Sequence, residues 1–127
     1  MDMGPSGLRI AGVRPALEEL GHRVREVGSV VAGGPESIEA GPASARFLSE
    51  VANVCRETHR LVSAGLESEC VPLILGGDHS LSIGSVAAVA DHYRRQDRPI
   101  GLIWVDAHTD MNTPETSPSG NVHGMPL

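Results

Sequence analysis

The chain has 127 residues, with 10 basic against 16 acidic side chains, a formal net charge of −6 and 40% hydrophobic residues. These values suit one folded domain of common size rather than a disordered chain. The acidic balance argues against nucleic-acid binding, which depends on Lys and Arg meeting phosphate, and aromatic residues at only 2% exclude a stacking platform for bases.

Periodicity predicts a helix over residues 5–20, with Pro5 in the first turn, Leu8, Val13, Leu17 and Leu20 at helical spacing, and Gly21 as the stop. Residues 23–30 read as a weak strand through Val24, Val27 and Val30, and residues 31–41 as a loop. Residues 43–64 form the clearest predicted helix. Phe47, Leu48, Val51, Val54, Cys55, Leu61 and Val62 line one face, and Gly65 closes it. The apolar run 71–75 reads as a buried strand ending at Gly76-Gly77, with Pro72 near its start, where a missing N–H is tolerated. Ser80 is placed to cap a helix running to Arg95. The run 100–105 reads as a second buried strand, and residues 107–127 carry no period. His22, His59 and His92, with the Arg94, Arg95 and Arg98 cluster, are expected at the surface.

No apolar run approaches the roughly 18–20 residues of a membrane span. The N-terminus shows no signal-peptide pattern. Two cysteines, Cys55 and Cys70, build no disulfide framework and read as reduced, mostly buried thiols. The expected location is cytoplasmic. Helices alternating with continuous apolar runs predict an α/β fold, a parallel sheet covered by helices. Only three such runs are visible, so the chain reads as part of a domain; the other reading is a small domain with a polar tail.

The chemistry gathers at two predicted strand ends, Gly76-Gly77-Asp78-His79-Ser80 and Asp106-Ala107-His108-Thr109-Asp110, where ligands of open parallel sheets bind. In an extended segment Asp106, His108 and Asp110 share a side, with consecutive members roughly 6–7 Å apart. One ion held by all three requires the chain to bend. Two ions about 3.5–4 Å apart, sharing a carboxylate, fit the spacing better, with Asp106 as the bridge and His79 arriving from the neighbouring strand end. Imidazole with carboxylate suits Mn, Zn, Fe, Co or Ni over Ca or Mg, without choosing among them. The lack of a Cys ligand argues against structural zinc. A solvated strand end is the bland alternative for each motif alone. A phosphate cradle at Gly76-Gly77 lacks the glycine spacing and lysine of a P-loop.

Gly76–Ser80 followed by Trp104–Asp110 resembles the ureohydrolase family, which includes arginases and agmatinases. The stretch from Met111 to Leu127 is similar to the substrate loop of arginases, and Asp2–Arg9 to the early segment of bacterial arginases. The resemblance spans the chain and is most specific over 104–127. It implies a three-layer α/β/α fold with a mostly parallel sheet, of which residues 1–127 are the N-terminal part of a single domain. It also implies two Mn²⁺ ions and hydrolysis of L-arginine to L-ornithine and urea. His79, Asp106 and Asp110 would hold one ion, and His108 with the bridging Asp106 the other. His123 matches the proton-shuttle histidine and counts with Asp110 among the catalytic residues. Asn112, Ser117, Ser119 and Asn121 match contacts to the substrate α-carboxylate region. The family carries two further aspartate ligands in a later segment, so this chain holds part of the metal shell. The family often forms trimers or hexamers. The runner-up is agmatinase or another guanidino hydrolase; agmatine has no carboxylate for the Asn112/Ser119 loop to bind. The reading from a different class is a non-catalytic fragment.

Overall fold

The computed structural model describes residues 3–127. The single helix predicted over 5–20 is two: α1, Met3–Ile10, and α2, Val13–Glu19. The break falls at Gly12, whose φ of 88° lies in the left-handed region, open to glycine at little cost. α3 spans Leu48–Glu67 and α4 spans Leu81–Arg94. A single 3₁₀ turn, Val122–Gly124, closes the chain's last loop.

Three helices end the same way. After α2, Gly21 donates to Glu18 O and His22 to Leu17 O; after α3, Glu69 donates to Leu66 O and Cys70 to Gly65 O; after α4, Asp97 donates to Arg94 O and Arg98 to Tyr93 O. Each terminal residue has positive φ, and the paired bonds satisfy carbonyls that the last turn leaves open. Gly65 is therefore interior to α3 rather than its stop, and Glu69 takes the left-handed position instead.

Packing centres on α3 against α4. Cys55, Thr58, Val62 and Gly65 are the buried residues of α3, spaced as one helical stripe. They meet the stripe of α4 that holds buried Gly84 and Ala88. Gly84 is required at the crossing, because a Cβ there would overlap the Cys55 carbonyl. His59 is not a plain surface residue. Its Nε2 lies 3.1 Å from Asp91 Oδ2, half-buried between the two helices.

The sheet expected from the sequence is not formed. Among the described residues there is no β-strand, and the one bridge is an isolated parallel pair, Arg46 with Asn121. The three apolar runs at 23–30, 71–75 and 100–105 lack helical or strand assignment. A strand is defined by its ladder, and these runs exchange no backbone hydrogen bonds with one another. Nor are they buried: Val71, Ile103 and Val105 are 94%, 89% and 91% exposed. The α/β/α expectation is thus corrected to a helical architecture carrying extended segments. Hydrophobic runs alone register that a segment wants covering, not that a partner covers it. The exposed surface is 9015 Å², against about 6,500 Å² for a compact monomer of this mass. No helix among the described residues is long and apolar enough to cross a membrane.

Candidate metal centre

The turn 76–80 leads directly into α4. Ser80 does not cap that helix with its side chain. Instead Asp78 Oδ1 accepts from the Ser80 backbone N–H at 2.9 Å and from its hydroxyl. The first turn of α4 then grips His79: Ser82 donates to the His79 carbonyl from its N–H at 3.1 Å and from its hydroxyl at 2.6 Å. From below, the buried Cys55 thiol donates to the Ser80 carbonyl at 3.3 Å. Burial pushes that thiol's pKa up, so it serves as a donor rather than a nucleophile.

The second motif bends at its own aspartate. Asp106 Oδ1 accepts from the His108 N–H at 2.8 Å, an Asx turn. Asp110 adopts φ 52°, a left-handed conformation that aspartate tolerates better than most residues. The bend supplies what the extended spacing lacked. His79 Nδ1 lies 2.9 Å from Asp106 Oδ2 and 2.8 Å from Asp110 Oδ2, and these ligand atoms all fall within 4.8 Å of one another.

The chemistry of this cluster fits a cation. Asp110 is buried, yet its Oδ2 has no hydrogen-bond partner. Its short approach to His79 Nδ1 is therefore not aligned as a hydrogen bond. Acceptor atoms converge where a positive charge would satisfy all three. The carboxyl of Asp106 is held below the usual carboxylate range, chiefly by the His108 backbone N–H, with further help from the His108 side chain and the charge of His79.

The other expected site residues are placed around this cluster. His108 turns outward, 82% exposed, with Nδ1 3.0 Å from Asp106 Oδ1; it stands on the opposite oxygen of the shared carboxylate, outside the three-residue cluster. His123 sits on the 3₁₀ turn with Nδ1 3.9 Å from Asp78 Oδ2. The loop carrying it folds back on its start, since Asn112 N–H donates to Gly124 O and Leu127 N–H to Asp110 O. Asn112 Oδ1 accepts from Thr116, Ser117 Oγ from Gly120 N–H, and Ser119 Oγ from Asn121 N–H. Asn121 is anchored beside Arg46. The sequence reading overlooked Trp104, whose ring stacks on the His79 imidazole. Its signal was its position, two residues before Asp106 and so on the same side of an extended run.

The family model described as the Arginase family matches residues 1–127. The chain belongs to the arginase family. It is 46% identical to the arginase of Bacillus caldovelox over 128 residues, covering all of this chain and 42% of that protein. It is 42% identical to the arginase of Staphylococcus aureus strain MRSA252, covering 41% of it. Among solved arginase structures, that of Bacillus caldovelox in its native form is similar with TM-score 0.90 at 46% identity, covering 99% of this chain and 41% of the other. That of Bacillus cereus gives TM-score 0.88 at 46% identity, with 99% and 40% covered. The chain thus spans about two-fifths of the length of the arginases it matches.

Proposed function

We propose that this chain carries metal- and substrate-binding residues for Mn²⁺-dependent hydrolysis of L-arginine to L-ornithine and urea. The observation that carries the reading is the convergence of His79 Nδ1 with Asp106 and Asp110, in a chain of the arginase family. His79, Asp106 and Asp110 would hold one ion, and His108 together with Asp106 would hold a second. Manganese bound there supplies Lewis-acid activation of water at neutral pH.

The remaining steps belong to the chain's own side chains. A guanidinium carbon is a weak electrophile, because its charge is delocalised, and the departing amine of ornithine needs a proton. His123 sits on the loop that returns to Asp110, and its imidazole is a group able to carry that proton. The amide and hydroxyl groups of Asn112, Ser117, Ser119 and Asn121 bind the α-carboxylate. That carboxylate separates arginine from agmatine, since a site built to hydrogen-bond a substrate group discriminates strongly against its absence.

The test takes the 127-residue chain through dialysis with Mn²⁺, followed by metal analysis and ligand-observed NMR with L-arginine and agmatine. Retained Mn²⁺ that Asp106→Asn loses, together with arginine binding that Asn112→Ala/Ser119→Ala weakens, is the expected result. Urea release is assayed beside the Bacillus caldovelox arginase and is expected to be far slower for this chain. Equal binding of agmatine would replace the substrate assignment with the agmatinase reading. Failure to hold Mn²⁺ would remove the metal assignment.

A further inference from the structure

Ligand imidazoles are normally oriented by a hydrogen bond from the ring nitrogen that faces away from the metal. His79 has no such bond among the described residues: its polar ring contacts are the two carboxylates through Nδ1. Its main chain is fixed by α4, which leaves the ring free to turn about its own side-chain bonds. One group opposes that turn. The indole of Trp104 lies against the imidazole with centroids 4.3 Å apart and planes 19° from parallel.

We propose that Trp104 is a positioning residue of the metal centre, its indole fixing the plane of the His79 ring so that Nδ1 faces Asp106 and Asp110 together. This rests on the metal reading above. The run 104–106 delivers both parts at once, because side chains two apart in an extended segment share a side. The plate and the carboxylate are therefore carried two residues apart on one stretch of backbone. The indole acts through its face and not its N–H, since Nε1 is buried without a hydrogen-bond partner. A phenyl ring should therefore serve, and an aliphatic side chain should not.

The experiment titrates Mn²⁺ alone into the metal-free chain by calorimetry, for wild type, Trp104→Phe and Trp104→Leu. It also records the His79 ring protons of the metal-free proteins by NMR. Near-wild-type affinity is expected for Trp104→Phe, and a loss of about tenfold or more for Trp104→Leu, the range seen when a ligand's orienting partner is removed. The His79 ring protons should resonate upfield of free histidine in wild type and Trp104→Phe. In Trp104→Leu they should return to the free value while far-UV circular dichroism is unchanged. Unshifted His79 protons in folded wild type overturn the proposal, and that reading needs no variant to fold. Mn²⁺ binding that Trp104→Leu keeps at full strength overturns the role of the indole alone. No Mn²⁺ binding by wild type overturns the metal reading and the role built on it.

Discussion

Asp110 combines a left-handed backbone (φ 52°) with a buried carboxylate whose Oδ2 is unpartnered. Without a cation, such a group costs free energy; with one, the same group becomes a ligand. Asp110→Asn should therefore have effects of opposite sign. In the metal-free chain the amide removes a buried carboxylate charge that shares one imidazole nitrogen with the Asp106 carboxylate, and stability should rise by about 1 kcal/mol, the scale of an unsatisfied buried polar group. With Mn²⁺ present the order should reverse, because wild type gains binding free energy that the variant lacks. Thermal melts with and without Mn²⁺ check both arms. A variant equal to wild type in both would remove Asp110 from the site. The sequence named the members of this cluster plainly, since His79, Asp106 and Asp110 stand in two short motifs. It could not carry the bend. An extended reading separates Asp106 from Asp110 by two repeats, and only the Asx turn onto the His108 N–H with the left-handed residue at 110 closes that gap.

The pairing of α3 with α4 is what holds His79 in place, because Cys55 of α3 reaches the Ser80 carbonyl just before α4 begins. Gly84→Ala would push a methyl group into the Cys55 carbonyl. Backbone cannot yield as a flexible side chain does, so the helices must separate, at about 1–3 kcal/mol. Urea denaturation should show that loss, and Mn²⁺ affinity should fall with it. The joint also has an acid-sensitive member. Asp91 is held below its ordinary pKa, first by the His59 hydrogen bond, then by the charges of Arg94, His59 and Arg95. A carboxyl depressed in the folded state contributes stability above its unfolded value, near 3.8. That contribution is lost as pH falls through the lower folded value. Asp91→Asn should therefore lower the melting temperature at neutral pH and match wild type more closely below about pH 3.8, the unfolded-state value. An equal deficit at every pH would show that the carboxylate charge is not involved. Both helices of this joint were legible, α3 from apolar periodicity and α4 from its expected start at Ser80, although the Ser80 side chain does not cap it. Their ends were less so: Gly65 has the composition of a stop but sits within α3, while Glu69, a residue with no turn signature, takes the left-handed terminal position.

Across the whole molecule the described core is small. Its buried apolar residues are Ala45, Cys55, Val62, Ala88 and Val122, and no large side chain is fully enclosed among the described residues. The slope of a urea transition scales with the surface that unfolding newly exposes. This chain already shows 9015 Å² when folded, so its m value should fall near or below about 1 kcal/mol/M, the low end for small proteins. A value well above that would mean that the apolar runs at 71–75 and 100–105 are covered in solution. Those runs were visible in the sequence as segments rich in Val, Ile and Leu. Their pairing was not, because a ladder depends on a neighbour that no local pattern encodes. The bond from Arg46 N–H to Gly120 O, at 2.8 Å, joins two stretches far apart in the chain, and Gly120 leaves no room for a Cβ against Ala43. Closing so long a loop costs chain entropy before any contact rewards it, whereas α3 and α4 are near neighbours in sequence. The helical pair should therefore form early in folding, and the seam between residues 43–47 and 120–121 late. That seam anchors the loop bearing Ser119, Asn121 and His123, so the chain's chemical residues should come together only after its scaffold is built, and in hydrogen exchange the Arg46 amide should open long before the interior amides of α3.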